Sequence, residues 1–264
     1  MITPRSFAKK LSKSEDMASK RLKAYLKDPN EANVHDLRTS IRRLLATAEI
    51  LPKKMRKKDT KKYLANYKRL LRLNAKVRDL DIVLSKLSKL KDDPANKQLL
   101  KDLRKSRDSE LKKASRFASS IDDEKGLSLR ASDLSGGALR KRFNKSADGL
   151  AAKIEERLSI VLKEPANKTA LHELREDSRK LRYTLELENT PSASKLLTVL
   201  EAWQDVLGVI HDTDIFIMHF EAESDSPSIK PFLEREISGR NENYEKFRAI
   251  ARESPSLRLS DQSS

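Results

Sequence analysis

Cysteine is absent from this 264-residue chain, glycine occurs only six times, and aromatic side chains make up 5% of it. Without cysteine there is no disulfide framework and no thiolate metal centre, which suits an intracellular protein. So little glycine disfavours a sheet protein with many tight turns, whereas long amphipathic helices fit 37% hydrophobic and 36% charged residues. Apolar runs are brief: Ile215 to Met218 is typical, far short of the roughly 20 residues a membrane span requires. The opening MITPRSFAKKLSK is basic but lacks the apolar segment of a secretory signal. These absences lead to the expectation of an all-α, cytoplasmic protein with no membrane partner.

Positive charge is abundant. Fifty-six Lys and Arg against 40 Asp and Glu leave a net +16, enough to draw polyanions from solution and to make their binding salt-dependent. Nucleic acid, inorganic phosphate polymers and anionic lipid are all admitted by charge alone.

Pattern narrows the choice. Val34 to Ile50, VHDLRTSIRRLLATAEI, recurs as Leu171 to Leu187, LHELREDSRKLRYTLEL, with seven of seventeen positions identical. At helical spacing His35, Arg38 and Arg42 fall on one face, and Leu37, Ile41, Leu44 and Ala48 fall opposite. In the second copy His172, Arg175, Arg179 and Arg182 share one face, with Leu174, Leu181 and Leu185 pointing away. A second motif also repeats: KVRDLDIVL from Lys76 matches GVIHDTDIFI from Gly208, aligning Asp79 with Asp212 and Asp81 with Asp214.

The apolar periodicity and its breaks predict helices over about 4–27, 31–51, 60–91 and 94–121, then about 138–163, a second His-Arg helix ending near Asn189, 192–223, and a last one from Pro227 or Pro231 to about Arg252. LKDP closes the first helix and LKEP the fifth. Residues 122–137, with Gly136 and Gly137, separate the two runs. This is a duplicated four-helix unit, with halves at 4–121 and 138–252.

VHDLRTSIRR and LHELREDSRKLRY, each followed some forty residues on by RDLD or HDTD, resemble the conserved-histidine alpha-helical domain, the CHAD family, over nearly the whole chain. The resemblance implies a single CHAD domain of two four-helix bundles related by a pseudo-twofold axis, with a central basic channel that binds inorganic polyphosphate. Carried onto this sequence, it assigns polyphosphate binding to His35, Arg38, Arg42, Arg43, His172, Arg175, Arg179, Lys180 and Arg182. One departure is Leu45, which stands where the second copy has Arg182.

The residue chemistry agrees. Arginine presents a planar, permanently charged fork that matches two phosphate oxygens, so arginines one and two turns apart give successive grips along a polymer. A solvated helix face has no reason to repeat the same His and Arg positions against the same leucines. His35 and His172 start each ladder, where surrounding positive charge disfavours their protonation. Asp79 and Asp212 are expected to hold arginines in place from behind, while Asp81 and Asp214 read as ordinary helix salt bridges. Lys76, Arg142 and their neighbours extend the basic surface.

Neither a metal-ligand spacing nor a Gly-rich phosphate loop is present in the sequence, so no metal, no cofactor and no catalytic residue is assigned. The expected function is non-catalytic binding of polyphosphate, with residence on polyphosphate granules as its cellular extension. A nucleic-acid-binding helical protein ranks second, because aromatics for base stacking are few. An enzyme acting on polyphosphate or nucleotides ranks third.

Overall fold

In a computed structural model of the chain, which describes residues 2–89, 94–122, 126, 127, 129–221 and 229–259, the described residues form eight α-helices and two short 3-10 turns. The helices are α1 (Pro4–Lys27), α2 (Glu31–Glu49), α3 (Lys58–Leu87), α4 (Pro94–Ser119), α5 (Gly136–Lys163), α6 (Lys168–Leu185), α7 (Pro191–Phe220) and α8 (Lys230–Glu253). The all-α expectation holds. No described helix is long and apolar enough to cross a membrane.

Local chemistry sets the helix starts. Thr3 caps α1 through a reciprocal capping box with Ser6, followed by Pro4 in the first turn. Asn30 caps α2, accepting from the Asn33 amide at 2.9 Å, and Asn167 caps α6, accepting from the Ala170 amide at 2.9 Å. Both histidine-bearing helices therefore begin on an asparagine just beyond the repeated Lys-Asp/Glu-Pro turn. Ser135 accepts from Leu139 through its carbonyl, which draws Gly136 and Gly137 into the first turn of α5.

The chain forms two compact units. Unit 1 comprises Met1–Asp81, Asp102–Ser146 and Leu187–Asn189; unit 2 comprises Ile82–Lys101, Ala147–Glu186 and Thr190–Ser264. Within unit 1, α1 packs on α2, and Phe7, Leu11, Leu22 and Tyr25 of α1 are buried with Leu37, Ile41 and Leu44 of α2. Each such side chain contributes about 1.5–3 kcal/mol on burial. Within unit 2, α7 packs on both α6 and α8. Trp203 meets Phe247 edge to face at 5.4 Å and donates its indole N–H to Ser254 Oγ at 3.0 Å.

The buried stripe of α3 is not the leucine series alone. Tyr63, Tyr67, Leu70 and Val77 line it together with two polar residues, Asn74 and Asp81, both under 4% exposed. A polar side chain so enclosed needs a partner, and the partner of Asp81 is central to the site.

Candidate functional site

Each unit carries one of the two repeated helices. On α2, His35 is exposed while Arg42 and Arg43 are half-buried. His35 titrates below the ordinary histidine range. Burial is the leading cause and the Arg78 guanidinium the next, with Asp36 opposing and Arg42 and Arg38 adding smaller pushes. Positive charge thus disfavours its protonation, but desolvation does so more.

Arg38 departs from the open ladder. It is only 8% exposed, and its Nη1 donates to the Leu71 carbonyl on α3 at 2.9 Å. At 100° per residue Arg38 lies only about 60° around the helix from Ile41, so its stem enters the packed shoulder between α2 and α3. One guanidinium amino group is thereby spent on the backbone of a neighbouring helix.

On α6, His172 is exposed and Arg175 half-buried. Carboxylates interleave with the cations that follow. Arg179 pairs with Glu176. Lys180 lies 3.6 Å from Asp177. Arg182 donates to Gln204 and to Glu186, each at 3.0 Å, with its guanidinium 4.8 Å from the Tyr183 ring centre. Arg157 of α5, which sequence reasoning missed, reaches Glu173 at 2.9 Å and also pairs with Asp177. These acids hold the guanidinium groups in fixed rotamers, which lowers the entropy lost when an anion arrives.

Of the acids in the second motif, Asp81 and Asp214 depart from expectation. Asp79 and Asp212 are half-buried on α3 and α7. Asp81 and Asp214 are not surface helix pairs. Asp81 accepts from Arg107 Nε of α4, and Arg107 Nη2 donates to the Pro29 carbonyl at 3.1 Å. In unit 2 Asp214 accepts from Arg240 Nε of α8 at 2.8 Å, and Arg240 Nη1 donates to the Pro165 carbonyl at 3.2 Å. The same three-point brace occurs twice. It ties the turn that leads into α2 or α6 to the two helices behind it. Burial pushes the Asp81 carboxyl above the ordinary range, and its hydrogen bond from Arg107 opposes this. A signal for these arginines was present in the sequence, since each lies 26 residues beyond its aspartate.

Two peripheral cations also serve the backbone or a neighbouring acid. Arg142 of α5 donates to the Glu49 and Ile50 carbonyls at 2.7 and 3.1 Å, closing the C-terminal end of α2. Lys76 pairs with Glu110 at 3.4 Å. Among the described residues no cluster of three or more His, Asp or Glu is disposed to hold a metal ion.

The CHAD domain family model matches residues 11–221. This chain belongs to the CHAD family. The crystal structure of the CHAD domain from the plant Ricinus communis is similar to it with a TM-score of 0.66 at 14% identity, covering 97% of this chain and 93% of that one. At that identity the likeness establishes the shared helical fold. Comparison with curated proteins gave no match to this sequence.

Proposed function

We propose that this CHAD protein binds inorganic polyphosphate, without catalysing its turnover, along the basic faces of α2 and α6. The observation that carries this reading is the repetition. His35, Arg42 and Arg43 on α2 occupy the positions that His172, Arg179 and Lys180 occupy on α6, as Arg38 matches Arg175, and the opposite faces of both helices anchor in their own cores. Arg38 belongs to the set but acts from within it, holding α2 on α3 while its charge adds to the face. Lys180 and Arg182 extend the α6 series, and Asp79 and Asp212 support it from behind. The net charge of +16 supplies long-range attraction. Residence in the cytoplasm, on polyphosphate granules, is the cellular counterpart of this activity.

The test is calorimetric titration of the full chain with long-chain polyphosphate, tripolyphosphate and RNA at about 0.15 M salt, where loose attraction is screened beyond roughly 8 Å. Saturable binding of the long polymer with weaker RNA binding is expected. Preference for RNA would reverse the ranking, and release of phosphate with Mg²⁺ present would make the protein an enzyme.

A further inference from the structure

The duplication provides an internal control for a feature the ladder does not use. In unit 1, His35 borders a pocket of polar character lined by Asn30, Glu31, Asp36 and Arg78. Arg78 and Glu31 are ion-paired there at 2.6 Å. By the two repeats, Glu31 corresponds to Lys168, Arg78 to His211, Asn74 to Leu207 and Val77 to Ile210. A lysine and an imidazole form no ion pair, and Leu207, which stands where the first half has the buried Asn74, brings an apolar side chain to the lining in unit 2.

The matching position in unit 2 is accordingly a different kind of site. It is a cavity of about 250 Å³ walled by Leu171, Leu207, Ile210, Ile215 and Met218. Lys168, Thr169, His172, His211 and Asp214 form its polar rim. Met218 is 62% exposed, an unusual position for a large apolar side chain beside a cavity. The His172 and His211 rings face each other with Nδ1 atoms 3.5 Å apart. The one carboxylate of the rim, Asp214, is held by Arg240 at 2.8 Å, so the rim favours an anion. The volume lies just below that of drug-sized sites and matches a single ring system or short chain.

His172 belongs both to this rim and to the start of the α6 ladder, and Arg179 lies about 10 Å further along the helix. We infer that unit 2 takes an organic oligophosphate, a phosphate chain esterified to an aromatic or aliphatic group such as a nucleoside. The apolar group enters the cavity, and the phosphates lie against His172, Arg175 and Arg179. This rests on the reading of α6 as a phosphate-gripping face. Unit 1, whose corresponding pocket is polar and ion-paired, takes the inorganic polymer alone.

Adenosine triphosphate and tripolyphosphate carry the same number of phosphates, and tripolyphosphate carries the greater charge, so electrostatics alone ranks it first. Calorimetry on the full chain is expected to show the nucleotide binding about tenfold tighter, the gain from burying part of a ring. Met218→Ser should cut that ratio severalfold. Lys168→Glu with His211→Arg, which installs the unit 1 pair, should invert it. The Met218 methyl resonance should shift with the nucleotide and not with tripolyphosphate. Equal or weaker nucleotide binding in the unaltered protein overturns this inference while leaving the polyphosphate reading intact. Failure of long polyphosphate, tripolyphosphate and nucleotide alike overturns both.

Discussion

Arg240 of α8 donates its Nε to Asp214 of α7 at 2.8 Å and its Nη1 to the Pro165 carbonyl at 3.2 Å, so one buried guanidinium joins two helices to the turn that opens α6. Removing one member of such a pair strands a buried charge. Arg240→Met is therefore expected to cost about 3–5 kcal/mol, read as a lower urea midpoint with an unchanged slope. Arg107→Met should do the same through Asp81 and Pro29. A loss below about 1 kcal/mol in either variant would reduce the brace to a surface ion pair.

Much of this architecture is legible in the sequence because it is written in local periodicity. Phe7, Leu11 and Leu22 recur at helical spacing and are buried; the same spacing offers Leu26, but it stays half-buried while Tyr25 beside it is fully buried. The repeated His and Arg positions of α2 and α6 needed only a comparison of the chain with itself. Arg38 did not yield to that reasoning: a helical wheel separates apolar from charged positions, but it does not show that a long side chain on the shoulder will bend inward to a neighbouring carbonyl. Arg107 and Arg240 were missed for a related reason. Among 56 basic residues, only the equal 26-residue offset from Asp81 and Asp214 sets these two apart in the sequence, and a comparison confined to the two repeated motifs does not reach that far.

The Arg42 and Arg43 pair on α2 gives the sharpest test of polyphosphate binding. Arg42→Ala with Arg43→Ala should weaken long-chain polyphosphate binding by at least about tenfold and lower the slope of log affinity against log salt by about one per lost phosphate contact. Helicity measured by circular dichroism should not change. Lys97→Ala with Lys101→Ala removes the same charge from exposed positions on α4 and should cost less than about threefold. Equal losses in the two double variants would mean diffuse charge attraction rather than a defined face.

Arg38→Ala is expected to behave differently from its neighbours. Its loss leaves the Leu71 carbonyl without the guanidinium donor it meets at 2.9 Å, at a cost of about 1.5–3 kcal/mol. Thermal unfolding should therefore show a lower midpoint for Arg38→Ala and a near-unaltered midpoint for Lys101→Ala, which removes the same charge from an exposed position. An Arg38 that faced only ligand would leave the two variants equally stable.

Glu15 supplies a pH dependence whose sign can be worked out. Burial raises its pKa from 4.5 to about 7, Asp16 adds to the rise, and the hydrogen bond from the Leu127 amide opposes it. Between these two values the folded protein retains a proton that the unfolded chain has released. The contribution of Glu15 to stability therefore falls as pH rises from 4.5 to 7, and it levels off above that window. Glu15→Gln keeps an acceptor for Leu127 and removes the titration. Allowing for the partial exposure of the side chain, the variant should exceed the parent by about 1 kcal/mol at pH 8 and match it near pH 4. Urea unfolding across that range reads the difference. A variant less stable than its parent at pH 8 would show that the ionised carboxylate, through its bond to Leu127, stabilises the fold more than its burial costs.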